Sequence, residues 1–167
     1  MAQPRTPGFR EQATPFVSEE QKLGAISGFL GGNKIFRKGR SPRTSLEAHD
    51  ALVHGLPGLS LGYLIEHLEH LDWSDVEKAI GISLRTYQRL KSEKKPLSHD
   101  QSSRAWKFAE VLARATSVFG SQHKAEQWLG APARGLDGHR PASLLATQTG
   151  TELVEQFLER LDYGVYV

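Results

Sequence analysis

The 167-residue chain contains no cysteine, which excludes disulfides, thiolate metal ligands and thiol nucleophiles. Any chemistry must therefore come from oxygen or nitrogen groups. The same absence fits a reducing compartment, and a cytoplasmic protein is expected. No stretch approaches the roughly 20 consecutive apolar residues that span a bilayer, and the first residues, with Arg5 and Arg10, lack the apolar core of a signal peptide. No membrane partner is expected. Alternating runs of strand length and internal repeats are missing as well, which points to an all-α protein built of two small helical modules.

What is present is an uneven distribution of charge behind a formal net charge of +2. Residues 1–45 carry eight basic and three acidic side chains, 46–82 one basic and seven acidic, and 83–107 seven basic and two acidic. The last 27 residues, 141–167, hold one basic and four acidic side chains. The alternation predicts a cationic surface for one partner and an acidic region for another, although solvated helix faces also produce modest swings.

Residues 1–43 mix Pro4, Pro7, Pro15, Gly28, Gly31, Gly32, Gly39 and Pro42 with one short apolar cluster around Leu23, Ile26, Phe29 and Leu30. So little apolar surface predicts a mobile basic arm with at most one short helix. Its Lys34, Arg37, Lys38, Arg40 and Arg43 either touch phosphates or belong to a solvated tail. Helical patterning begins at Thr44 or Ser45, stops by Gly55 and Pro57, and resumes at Ser60 with Leu61, Leu64, Ile65, Leu68 and Leu71. Three further helices are predicted behind Ser74, Ser83 and Ser98, with breaks at Gly81 and Pro96. After Gly120 come a helix through Ala125, Trp128 and Leu129, a Gly/Pro-rich connection, a short helix begun by Pro141, and an amphipathic helix around Leu153 to Leu161.

The segment Trp73 to Leu90 has the pattern of a helix-turn-helix. Gly81 supplies the turn, and Val76, Ile80, Ile82, Tyr87 and Leu90 take the inward positions. Ser83, Arg85, Thr86, Gln88, Arg89 and Lys91 are then left to read base edges or clamp phosphates, with Lys94 and Lys95 extending the basic footprint. Arg104 and Lys107 nearby extend that footprint further. Glu77 stands four residues before the turn, where close helix crossing favours alanine, and a plain helical hairpin with a glycine turn is the competing reading. An acidic first helix followed by a basic second one favours groove insertion, because only the inserted helix gains from counterion release.

Enzymatic and metal chemistry are not expected. His67 and His70, with Glu69 and Asp72, lie on a leucine-periodic helix with no further ligand at metal-site spacing, so no metal is assigned. Gly28, Gly31 and Gly32 lack the Lys-Ser/Thr of a phosphate loop, no nucleophile motif is found, and neither catalytic residues nor a cofactor are predicted.

Beyond these patterns, the chain resembles the Xre/ParS antitoxin family over residues 44–167. The resemblance rests on Arg85 and Thr86; on Leu97, Ser98, Ser103 and Arg104; on Trp128 and Leu129; and on Pro132, Leu136, Gly138, Pro141, Leu144 and Leu145. It continues through Thr147, Gly150, Val154, Leu158, Tyr163, Gly164 and Tyr166. Glu77 and the Ser102–Ser103 pair depart from the family pattern.

The resemblance implies a helix-turn-helix domain over 44–120 and a toxin-binding domain over 121–167. Its partner would be a RES-type toxin with an ADP-ribosyltransferase-like fold that consumes NAD. Toxin contact is then expected from Glu155, Glu159, Tyr163, Gly164, Val165, Tyr166 and Val167, the aromatic residues anchoring in a pocket. The alternative is that Tyr163 and Tyr166 fold back on the last helix. A homodimer on a palindromic operator, repressing its own operon, is the DNA-binding form expected. Two other readings stay open: a free-standing regulator whose C-terminal half only dimerises, and an interaction scaffold that binds no DNA.

Overall fold

The computed structural model describes residues 17–36 and 40–164, and every element found there is helical apart from one isolated bridge between Pro57 and Pro96. The longest helix, α6 (His99–Phe119), is the one on which the others converge. Ser98 and Gln101 close a capping box at its start, each side chain accepting from the other's backbone N–H. Ala105, Ala109 and Ala115 are fully buried along it, and such small side chains let neighbouring helices approach closely.

One of those neighbours comes from the amino-terminal stretch. Residues Glu19–Phe29 form α1, which packs against α6. Leu23, Ile26 and Leu30 are buried there, as is Phe36 beyond a 3₁₀ turn at Gly32–Lys34. Residues 19–29 are thus the one short helix that the sequence allows in this stretch, and its apolar cluster is packed against α6. Gly24, Ala25 and Gly28 dilute the average hydropathy of this stretch, but a narrow apolar stripe suffices when a long preformed helix receives it. Lys22 Nζ adds a 2.8 Å ion pair to Glu110 of α6. Arg37 and Lys38, named above as possible phosphate contacts, lie outside the described residues.

The next helices are α2 (Ser45–His54), α3 (Gly58–Glu66), α4 (Trp73–Ile80) and α5 (Leu84–Glu93). Thr44 caps α2 and Ser83 caps α5. The cap of α4 is Asp72 rather than Ser74: Asp72 Oδ1 accepts from Asp75 N at 3.1 Å and Asp75 reciprocates, so that Trp73 is drawn into the helix and packs 5.4 Å from the ring of Tyr87. Ser102, a departure from the family pattern, is fully buried and accepts a 2.9 Å hydrogen bond from Leu56 N. With Leu97 N donating to Leu56 O at 2.8 Å, it fixes the turn after α2 against the start of α6.

Behind α6 follow α7 (Gln122–Gly130), a 3₁₀ turn at Arg134–Leu136, α8 (Pro141–Leu144) and α9 (Gln148–Asp162). Trp128 of α7 stands between Phe119 and Phe157, parallel to the latter within 7°. Arg140 bridges the two halves, donating from Nε to Gly130 O at 2.7 Å and pairing with buried Asp75 of α4 at 3.1 Å. A single cluster of buried side chains runs from Leu23 to Leu158.

The approach of α9 to α8 depends on one glycine. A Cβ on Gly150 would lie 2.1 Å from the carbonyl oxygen of Leu144, a backbone atom that no rotamer change can move aside. Gly150→Ala is therefore predicted to cost about 2–3 kcal/mol, in the range of overpacked cores. A urea midpoint within experimental error of wild type would show that the α8–α9 junction yields freely.

Candidate nucleic-acid and partner interfaces

The inward face of the α4–turn–α5 pair is apolar throughout. Val76, Ile80 and Ile82 are at most 1% exposed, and Tyr87 and Leu90 complete the contact. Gly81 makes the turn with φ of +73°, a left-handed conformation that side chains with a Cβ disfavour by about 1–2 kcal/mol. Glu77 is half-buried without conflict, because its carboxylate accepts from the Trp73 indole N–H at 2.8 Å.

With Tyr87 and Leu90 buried, the geometry of α5 turns Arg85, Gln88, Arg89 and Ser92 to solvent at spacings of three and four. Lys91 is exposed beside them. The remaining predicted residues divide. Ser83 and Thr86 are occupied with each other: Ser83 Oγ accepts from Thr86 N at 3.2 Å and donates to Thr86 Oγ1 at 3.0 Å. Lys94 closes the helix in a left-handed conformation, and Lys95 is paired with Glu93 at 2.7 Å, which holds the Glu93 carboxyl below its ordinary range. Arg104 stays on this side of the molecule, its guanidinium against the turn at Gly81.

Lys107 does not belong to that surface. Its ammonium meets Glu110 at 2.8 Å and Glu155 of α9 at 3.1 Å. Burial pushes the lysine pKa down, yet the two carboxylates outweigh it and raise it; for Glu110, burial pushes up and Lys107 with Lys22 bring it below the usual range. The Lys22–Glu110–Lys107–Glu155 chain thus ties α1, α6 and α9 together.

That pairing bears on the acidic surface. Glu155 is half-buried in an open groove of about 600 Å³ between α6 and α9, while Glu152, Glu159 and Asp162 are exposed along α9. Tyr163 ends the helix, its N–H donating to Glu159 O at 3.1 Å, and its side chain is 72% exposed. It does not fold back on α9. Gly164 follows with φ of +70°, and Val165, Tyr166 and Val167 lie outside the described residues.

A polar junction that the sequence reading missed joins these regions. Glu126 of α7 is completely buried, and one of its oxygens accepts from the backbone N–H groups of Glu69, His70 and Leu71 at 2.7, 2.7 and 3.1 Å. Gln122 donates to the other oxygen and to His67 O, both at 2.7 Å. The α3–α4 loop is in this way bound to α7 through a carboxylate. The sequence held a signal for it: Glu126 interrupts an inward stripe that includes Ala125 and Leu129, and a charge there requires a dedicated set of partners. Among the described residues, no helix is long and apolar enough to cross a membrane.

Comparison with known proteins fits this architecture. Residues 48–110 match the antitoxin Xre-like helix-turn-helix domain, and residues 114–164 match the antitoxin Xre/MbcA/ParS C-terminal toxin-binding domain. The protein named Antitoxin Xre from Pseudomonas putida is 34% identical over 107 residues, 64% of this chain and 67% of that protein. Its namesake from Photorhabdus laumondii is 30% identical over 135 residues, 80% of this chain and 90% of that protein. This chain belongs to the Xre antitoxin family. A further Antitoxin Xre, from Yersinia enterocolitica, is 29% identical over 115 residues, covering 65% of this chain and 78% of that protein. Within the Xre framework, the solvent-facing side chains of α5 lie in the helix-turn-helix segment and the acidic face of α9 in the toxin-binding segment, whereas α1 precedes both matched segments.

Proposed function

We propose that this chain binds and occludes a RES-type, NAD-consuming toxin through residues 121–167, and represses its own operon as a homodimer through α5. The observation that carries the proposal is the pairing, in one chain of an antitoxin family, of an unobstructed Arg85–Gln88–Arg89 face with an acidic α9 that ends in an exposed tyrosine. An acidic surface complements the basic cleft that a nucleotide-consuming enzyme needs for its phosphates, and an exposed aromatic side chain is a good anchor for a pocket. In this reading Tyr163 to Val167 enter the toxin and Glu159 lies at the rim. Glu155 contributes less, being already neutralised by Lys107.

The test is co-expression with the product of the neighbouring gene, purification through a tag on that neighbour, and growth with and without this chain. A complex and restored growth are expected. Removing residues 163–167 should abolish rescue while leaving far-UV CD unchanged, since a segment beyond the last helix contributes little to the core. Full rescue by the shortened chain would overturn the occlusion by Tyr163 to Val167. Absence of any complex would favour the free-standing regulator.

A further inference from the structure

The loop bound by Glu126 also carries two side chains that meet a third on α7. His70 Nε2 stands 2.9 Å from His123 Nδ1 and 3.4 Å from His123 Nε2, and Glu69 Oε2 is 3.0 Å from His123 Nδ1. One ligating atom from each residue lies within 4.8 Å of the other two. We infer that Glu69, His70 and His123 form a binding site for a divalent transition-metal ion of the zinc class, clipping the loop ahead of α4 to α7.

Three observations carry this inference, and none depends on the function proposed above. The first is distance. Zinc bonds of about 2.0–2.2 Å to imidazole nitrogen and carboxylate oxygen place neighbouring ligands roughly 3.3 Å apart in a tetrahedron; both contacts to His123 are within a few tenths of an ångström of that, and the Glu69–His70 pair, within 4.8 Å, closes by side-chain rotation. The second is a conflict in hydrogen bonding. His123 Nδ1 carries either one proton or one lone pair, yet it faces both His70 Nε2 and the Glu69 carboxylate. With the proton it must serve two acceptors; with the lone pair it accepts from His70 and turns electron density toward a carboxylate. A cation converts all three atoms into ligands and removes the conflict.

The third observation is rigidity. His123 sits one turn before Glu126 on α7, and the same Glu126 carboxylate fixes the backbone of Glu69 and His70, so the ligands are positioned before any ion arrives. The residues that spacing alone would group with His70 are engaged elsewhere: His67 stacks on Tyr63 and bonds its carbonyl oxygen at 2.7 Å, and Asp72 caps α4. All three ligands are exposed, which gives an ion a path from solvent and leaves its remaining positions to water. Two imidazoles and one carboxylate suit zinc, nickel or copper and discriminate against magnesium.

The test is calorimetric titration of the tag-free full chain, stripped by a chelator, with Zn²⁺ and in parallel with Mg²⁺. One zinc per chain, no magnesium binding, and a Tm rise on the order of 5 °C at about a hundredfold excess over Kd are expected. His123→Ala and, separately, His70→Ala should weaken zinc binding by about tenfold or more, and His49→Ala, on α2, should leave it unchanged. Because the ligands are exposed, metal-free variants should keep the wild-type CD spectrum and Tm; if one misfolds, the other still decides. Failure of the wild type to bind zinc saturably, or unaltered binding in both histidine variants, would overturn the inference.

Discussion

Glu126→Ala is expected to remove about 3–5 kcal/mol of stability, with a lowered urea midpoint and an unchanged denaturant slope. The substitution leaves the N–H groups of Glu69, His70 and Leu71 without their shared acceptor, the first two part-buried and the third buried, and a buried, unsatisfied donor costs roughly 1–3 kcal/mol. Against a total stability of about 5–15 kcal/mol that is a large fraction. Glu126→Gln keeps the volume and one acceptor oxygen, so it should cost about half as much. A midpoint for Glu126→Ala close to wild type would mean that water enters and replaces the carboxylate. The effect reaches beyond stability, because the loop that Glu126 holds runs directly into α4, the first helix of the helix-turn-helix.

Glu126 also marks where the sequence stops being readable. The helices, their order and most of their caps follow from apolar spacing of three and four, from Ser83, Ser98 and Pro141, and from glycine at 81 and 120, because these signals act within a few residues. The inward positions of the helix-turn-helix are of the same kind, and so is the exposure of Arg85, Gln88 and Arg89. The junction formed by Glu126 is different in nature: its partners are 55 to 57 residues away, and nothing local says which backbone N–H groups a buried carboxylate will find. His123 is the same case. A search for ligands near His70 in sequence meets His67 and Asp72, which the fold employs otherwise, and cannot see a histidine 53 residues on.

The docking of the amino-terminal helix on α6 was hidden for another reason. A composition average weighs every residue equally, whereas α1 is held by the few that touch α6 and by two polar ties from its first turn. Lys22 binds Glu110, and the Glu19 carboxylate accepts from the Ser45 hydroxyl and from Ser45 N at 2.9 Å, which lower its pKa in that order. Glu110 passes the connection on to Lys107 and Glu155. A side chain assigned by sequence to the toxin surface, Glu155, and one assigned to the basic footprint, Lys107, thus neutralise each other inside the fold. Charge counts by segment remain a fair guide to surfaces only after such internal pairs have been subtracted.

With Lys107 withdrawn and Lys95 matched by Glu93, the proposed DNA recognition would rest on α5. Arg85→Ala combined with Arg89→Ala is expected to weaken binding to the DNA upstream of its own gene by about a hundredfold or more, since an arginine that reads guanine or clamps phosphate contributes roughly 1–3 kcal/mol. If both contact phosphates, the slope of log K against log salt should also fall by about two. Lys107→Ala should leave that slope unchanged, because its charge is already paired with two carboxylates. Fluorescence anisotropy over a salt series separates these outcomes. The double variant should still rescue growth in co-expression with the neighbouring gene, as its substitutions lie on α5 and not in residues 121–167. Loss of DNA binding and rescue together, in a protein that remains folded, would show that one surface serves both partners; full retention of DNA binding would place the contact on a different helix.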